Sequence, residues 1–191
     1  MKFIRVLKSN INILYHITSL DGMKIIYNTN TLRGKEYPLI SFTINKNMES
    51  YFGQKAGTMF KLVLDGNKLS KDYELENFEY ISNTNIKLKE DEIRTKNATE
   101  IKDIDKYILG LYFIYNDDYE YFKHKLITKC NNNLNCDMIR NSSGGWWTYQ
   151  QFFDFIKQLK SKYKFFNEPP SIDNMMNKEN MSQNNWWNIG E

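Results

Sequence analysis

The chain has 191 residues, 41% of them hydrophobic and 26% charged, which suits one globular domain with an appendage. Aromatics make up 15%, so the core is expected to be rich in Tyr and Phe. The formal net charge of +3 is too small to argue by itself for a dedicated nucleic-acid binder, which carries a concentrated basic face.

Residues 11–17 read as a strand. Ser19 or Asp21 then caps a short helix through Met23, Ile25, Ile26 and Tyr27. Residues 29–35 read as a loop, and 39–43, after Pro38, as a second short strand. Residues 44–58 are polar, with Gly53 and Gly57, and read as a flexible connection. Residues 59–65 form the clearest strand, closed by the turn signal Asp65-Gly66. A short extended piece is expected over 68–78, a polar stretch over 82–100 and a short helix over 100–106. Residues 107–115 are continuously apolar, as in a strand covered on both faces. A helix is expected over 117–128 and a loop over 130–145. Phe152, Phe153, Phe155, Ile156, Leu159 and Tyr163 recur at helical spacing, so an amphipathic helix is expected before Pro169-Pro170. The polar residues beyond it are expected to be disordered.

The chain has neither GxxxxGK[ST] nor GxGxxG, so the common phosphate-cradling loops are missing. His124, Cys130 and Cys136 lack zinc-site spacing and a fourth ligand, so no metal is expected. Two cysteines cannot build a dense disulfide framework. With no basic-then-apolar leader, they point to a reducing, cytoplasmic setting. No apolar run approaches ~18 residues, so no membrane partner is expected.

Two segments carry candidate chemistry. His16 is one of two histidines. Its two ring nitrogens can fix a substrate hydroxyl, and Thr18 offers a second polar contact. Alone, His16 reads first as a core histidine bonded to a neighbouring strand. Glu90 and Glu92 flank Asp91, and that spacing puts both on one side of an extended segment. Close like charges make a base or a hydrogen-bond acceptor available. Alone, the triplet reads as a solvated loop.

Taken in order, the pieces are Tyr15-His16-Ile17-Thr18, Ile40-Ser41-Phe42-Thr43, Phe60 to Leu69, Glu90 to Arg94 and Lys106-Tyr107-Ile108. This order resembles the ADP-ribosyltransferase superfamily. The opening is similar to that of DNA-targeting ADP-ribosyltransferase toxins and RNA 2′-phosphotransferases, and the whole run to a group of small phage and bacterial proteins. The resemblance covers a little over half of the chain. The serine-threonine-serine form of the second motif is missing, since Phe42 sits at its middle.

The resemblance implies an α+β fold with a split mixed or antiparallel β-core and short helices. Residues 1–128 would form that core, 129–168 a helical appendage and 169–191 a disordered tail. NAD would be the substrate. His16 would hold the nicotinamide ribose, with Tyr15 and Thr18 beside it and the backbone near Ile17 on the amide. Ser41 or Thr43 would steady the ribose, and Tyr27 or Tyr51 would stack on the nicotinamide. Glu92 would contact the ribose 2′-hydroxyl, and Glu90 would orient the acceptor. Arg33, Lys35 and Arg94 would pair the pyrophosphate. The acceptor would be a protein or nucleic acid, for example a host factor met in the host-cell cytoplasm by a phage-encoded enzyme.

Two other classes stay open. One is a non-catalytic interaction or anti-defence protein, with the aromatic helix and Trp186-Trp187 as its contact surface. The other is a nucleic-acid binder, since Lys157, Lys160, Lys162 and Lys164 interleave with Tyr163, Phe165 and Phe166.

Overall fold

The structure is a computed structural model that describes residues 11–34, 39–47, 58–81, 87–116, 119–120, 135, 137–140 and 146–173. The elements in chain order are β1 (Ile13–Ser19), α1 (Leu20–Thr29), β2 (Thr31–Arg33), β3 (Ser41–Thr43), β4 (Thr58–Asp65) and α2 (Gly66–Asp72). Then follow β5 (Leu75–Ile81), β6 (Lys87–Thr95), β7 (Glu100–Lys102), a 3-10 turn (Ile104–Lys106) and β8 (Ile108–Phe113). β9 (Asp137–Arg140), β10 (Trp146–Thr148) and α3 (Tyr149–Lys162) close the described chain. The fold is α+β.

Six strands form one sheet in the order β5-β6-β3-β1-β4-β8, and its pairings are antiparallel. β2 with β7 and β9 with β10 form separate ladders. The junction between β1 and β3 is narrow. It holds one paired position, Tyr15 with Thr43, whereas β1 and β4 are paired along the whole of β1.

Local chemistry sets the ends of α1. The Ser19 hydroxyl accepts from the Gly22 N–H, and Asn30, with φ of 50°, ends the helix in the left-handed region. β1 therefore runs straight into α1.

Several elements differ from the sequence expectation. The polar stretch 82–100 contains β6, where Ile93 reaches the core at 1% exposure and Thr95 is fully buried, while the strand's charges give no apolar alternation. In place of a helix over 100–106 stand β7 and a 3-10 turn, and Asp103, with φ of 51°, breaks any helical run. Residues 68–78 begin in α2, not in an extended piece. Asp65 caps α2 by accepting from the Lys68 N–H, so Asp65-Gly66 starts a helix and does not close a hairpin. Gly66 is needed there because a Cβ would lie 2.3 Å from the Ile11 carbonyl oxygen. The loop expected over 29–35 holds β2, paired to β7. Most of the helix expected over 117–128, of the loop 130–145 and of the connection 44–58 lies outside the described residues, as does the tail from 174 onward.

One hydrophobic cluster joins the sheet to α1 and α3. It holds Leu14, Phe42, Phe60, Leu62 and Ile93 together with Phe152, Phe155, Ile156 and Leu159. The helix expected in an appendage over 129–168 thus packs into the same core. α3 starts with a reciprocal capping box between Thr148 and Gln151.

The segment after α3 then runs along β8. The Leu111 N–H donates to the Lys164 carbonyl, and the Phe166 N–H donates to the Leu111 carbonyl, both at 2.8 Å. The Asn167 side chain brackets Phe113, accepting from its N–H and donating to its carbonyl. This covers an edge that would otherwise offer unpaired backbone groups.

Gly110 permits the close approach. A Cβ there would lie 2.6 Å from Phe166 Cε2 and 2.7 Å from the Lys164 carbonyl oxygen. Gly110→Ala is expected to cost about 1–3 kcal/mol in chemical denaturation. Unchanged stability would show that the strap does not sit on β8.

Candidate functional site

β3 lies between β1 and β6, so His16, Ser41 and Glu92 stand on three adjacent strands. On β3 and β6, Phe42 and Ile93 are buried in the core at 3% and 1% exposure. Alternation therefore puts Ser41, Thr43, Glu92 and Arg94 on the other face. Register places Ser41 opposite Arg94 and Thr43 opposite Glu92.

Ser41 is held at both ends. Its hydroxyl donates to Glu92 Oε1 at 2.5 Å. Its carbonyl accepts from His16 Nδ1 at 2.9 Å. Arg94 Nε donates to the same Glu92 oxygen at 2.8 Å. The Arg94 and Glu92 side chains are only 14% and 10% exposed, so removing Arg94 would take the cation from a largely buried carboxylate.

The His16 ring meets Phe42 edge-on, with centroids 6.0 Å apart. It therefore approaches β3 from the Phe42 side, while Glu92 touches Ser41 from the other. A carbonyl oxygen can only accept, so Nδ1 carries the hydrogen, and Nε2 of the neutral ring is the acceptor. Burial lowers the imidazole pKa below its ordinary 6.5, and the bond to the Ser41 carbonyl opposes that only in part. The ring is neutral at pH 7.

The other expected site residues divide. Tyr15 is buried opposite Thr43, with the Lys61 ammonium 5.6 Å from its ring. Thr43 is buried, and its hydroxyl accepts from the Asn45 N–H. Thr18 lies against the first turn of α1, since a Cβ on Gly22 would sit 2.1 Å from its hydroxyl. Tyr27 packs elsewhere, edge-on to Phe155 of α3 at 5.7 Å and under the Lys162 ammonium at 4.9 Å. Tyr51 and Lys35 lie outside the described residues. Glu90 lies on β6, and its side chain is likewise outside them. Arg33 is exposed and pairs with Glu100 at 3.2 Å.

Two features escaped the sequence reading. Lys61 is 1% exposed and donates to the Lys46 carbonyl at 3.0 Å, near the Tyr112 ring. Its signal was a lone lysine inside the apolar run 59–65. Trp147, 4% exposed, donates from Nε1 to Asp21 at 2.9 Å, with the Lys24 ammonium 4.2 Å from its ring. It ties β10 to the first turn of α1, and no local sequence pattern announces that contact.

Among the described residues no group of three His, Cys, Asp or Glu could hold a metal. No helix of the described chain is long and apolar enough to cross a membrane. Comparison with family models, with curated proteins and with solved structures found no match.

The His16 pKa carries a pH test. Because it is lowered in the folded state, the unfolded chain binds the proton first as pH falls. The stability is fully present above about pH 6.5 and is lost as pH falls through the folded value. Wild type should therefore lose stability relative to His16→Gln between about pH 7 and 5, by at most ~1.4 kcal/mol per pH unit. His124 is common to both chains and cancels. A difference independent of pH would contradict the burial of the neutral ring.

Proposed function

We propose that the chain is an NAD-dependent ADP-ribosyltransferase on a split β-core of that superfamily's type, with its NAD site on the Ser41 and Glu92 face of the sheet and His16 supporting Ser41 from the opposite side. The observation that carries this reading is the junction at Ser41. Three residues singled out by their order in the sequence stand on adjacent strands and meet through one serine. The narrow pairing of β1 with β3 also suits a core split between those strands.

On this reading His16, on the Phe42 side, fixes β3 through the Ser41 carbonyl and does not itself touch NAD. The backbone at Ile17 binds the nicotinamide amide. Glu92 lies by the 2′-hydroxyl of the nicotinamide ribose. As the bond from ribose C1′ to nicotinamide breaks, its electron pair leaves with nicotinamide and positive charge grows on the ribose. A fixed carboxylate beside that charge lowers the barrier by about 3 kcal/mol in comparable sites. The acceptor's nucleophile, on a protein or a nucleic acid, then bonds to C1′ and gives up its proton.

A second reading has its own observation. Glu92 is already met by both Ser41 and Arg94, a network that needs no ligand. It would suit a non-catalytic interaction protein on the same fold.

Nicotinamide release separates the two. The purified chain is mixed with NAD, with and without protein, DNA or RNA acceptors. Wild type should release nicotinamide, and Glu92→Gln should do so about 10²–10³-fold more slowly. No release by wild type with any acceptor, or equal release by the variant, would leave the non-catalytic reading.

A further inference from the structure

We infer that β8 and the strap of residues 164–167 form a stacking platform for a short single-stranded nucleic acid, built on Tyr112 and Phe166 and flanked by Lys46 and Lys164. Phe166 lies on Tyr112 as a stacked pair, with ring centroids 5.1 Å and planes 28° apart. Phe166 is 39% exposed. The Lys164 ammonium stands 5.1 Å from the Phe166 ring and the Lys46 ammonium 5.5 Å from the Tyr112 ring. Both lysines are exposed. An exposed aromatic ring beside cations takes an unpaired base by stacking and its phosphate by charge.

The platform is preformed. The Phe166 N–H donates to the Leu111 carbonyl at 2.8 Å. Gly110 leaves the room that the edge of the ring occupies, since a Cβ there would lie 2.6 Å from Phe166 Cε2. Tyr112 is held in turn by the buried Lys61 ammonium, 4.4 Å from its ring. Rings already fixed lose little freedom when a base stacks on them.

This surface differs from the one expected from the basic-aromatic run of the sequence. Lys160 pairs with Glu168 at 2.5 Å and Lys162 with Asp105 at 2.7 Å. Tyr163 is buried and Phe165 packs against the core. Lys164 and Phe166 of that run are exposed, and Tyr112 of β8 and Lys46, three residues past β3, join them. Two flanking cations suit a site of a few nucleotides, in keeping with a net charge of only +3. An acidic peptide would engage the lysines and leave the aromatic pair unused. Stacking and phosphate contacts do not read the 2′-hydroxyl, so DNA and RNA strands should bind alike. Binding here needs no NAD and stands apart from the transferase reading.

Fluorescence anisotropy of labelled oligothymidylate and oligouridylate, mixed with the full chain without NAD, tests this over about 50–200 mM salt. The two should bind within about threefold of each other. Phe166→Leu, which keeps an apolar side chain against Gly110 but no ring, should weaken binding about tenfold or more, and Phe166→Trp should retain it. Lys46→Gln/Lys164→Gln should flatten the slope of log affinity against log salt by about 1.4, at about 0.7 per lost phosphate contact. Lys157→Gln/Lys160→Gln should leave that slope unchanged.

No binding of either strand at the lowest salt would overturn the platform, as would wild-type affinity in Phe166→Leu. The same slope change from both lysine pairs would also overturn it. So would tighter capture of polyglutamate, or of anionic phospholipid vesicles, than of either oligonucleotide. The lysine changes lie on the surface, so their slope test stands whether or not Phe166→Leu folds.

Discussion

Ser41 is the residue on which the two halves of the sheet meet. On one side β1, β4 and β8 pair along their lengths, and on the other β3 pairs with β6 and β6 with β5. Between the halves stand one paired position, Tyr15 with Thr43, and the bond from His16 to the Ser41 carbonyl. The Ser41 hydroxyl meanwhile holds Glu92. One short residue thus sets the placement of a neutral imidazole and of a carboxylate. A hydroxyl group on a strand can do this because its backbone serves one neighbour and its side chain the other.

The rest of the chain keeps β1 and α1 still. Trp147 bonds Asp21 in the first turn of α1, and Phe155 meets Tyr27 near its end. Tyr163, which ends α3, donates to Asp105 within the 3-10 turn. Burial, reinforced by that bond, pushes its phenol pKa up. The C-terminal helix is therefore part of the framework behind the His16 strand. The proposed chemistry and the aromatic helix belong to one packed body.

The sequence made the apolar elements legible and concealed the polar ones. β4 and β8 carry long apolar runs, and α3 carries aromatic residues at helical spacing, so each announces itself by burial alone. The cap at Ser19 is a local signal and was readable too. β6 was not, because its charged residues look like a solvated loop until β3 and β5 flank them and bury Ile93 and Thr95. α2 was hidden because Asp65-Gly66 serves a helix cap as well as it serves a turn. Within the site, the order of His16, Ser41 and Glu92 could be read, and that Ser41 would join them could not. The contact depends on the register of β3 against two neighbours, which are separated from it by 25 and 51 positions. The contact of Arg94 with Glu92 was hidden for the same reason, since it is fixed by strand geometry.

The central claim, that a neutral His16 ties its Nδ1 to Ser41 and so fixes β3 beneath Glu92, can be observed directly. The chain has two histidines, so nitrogen NMR of 15N-histidine-labelled protein is easily assigned with a His124→Gln control. At about pH 7 the His16 signals should show hydrogen on Nδ1. Addition of NAD should leave Nδ1 protonated. Hydrogen on Nε2 in the free protein, or a doubly protonated ring at about pH 7, would contradict it.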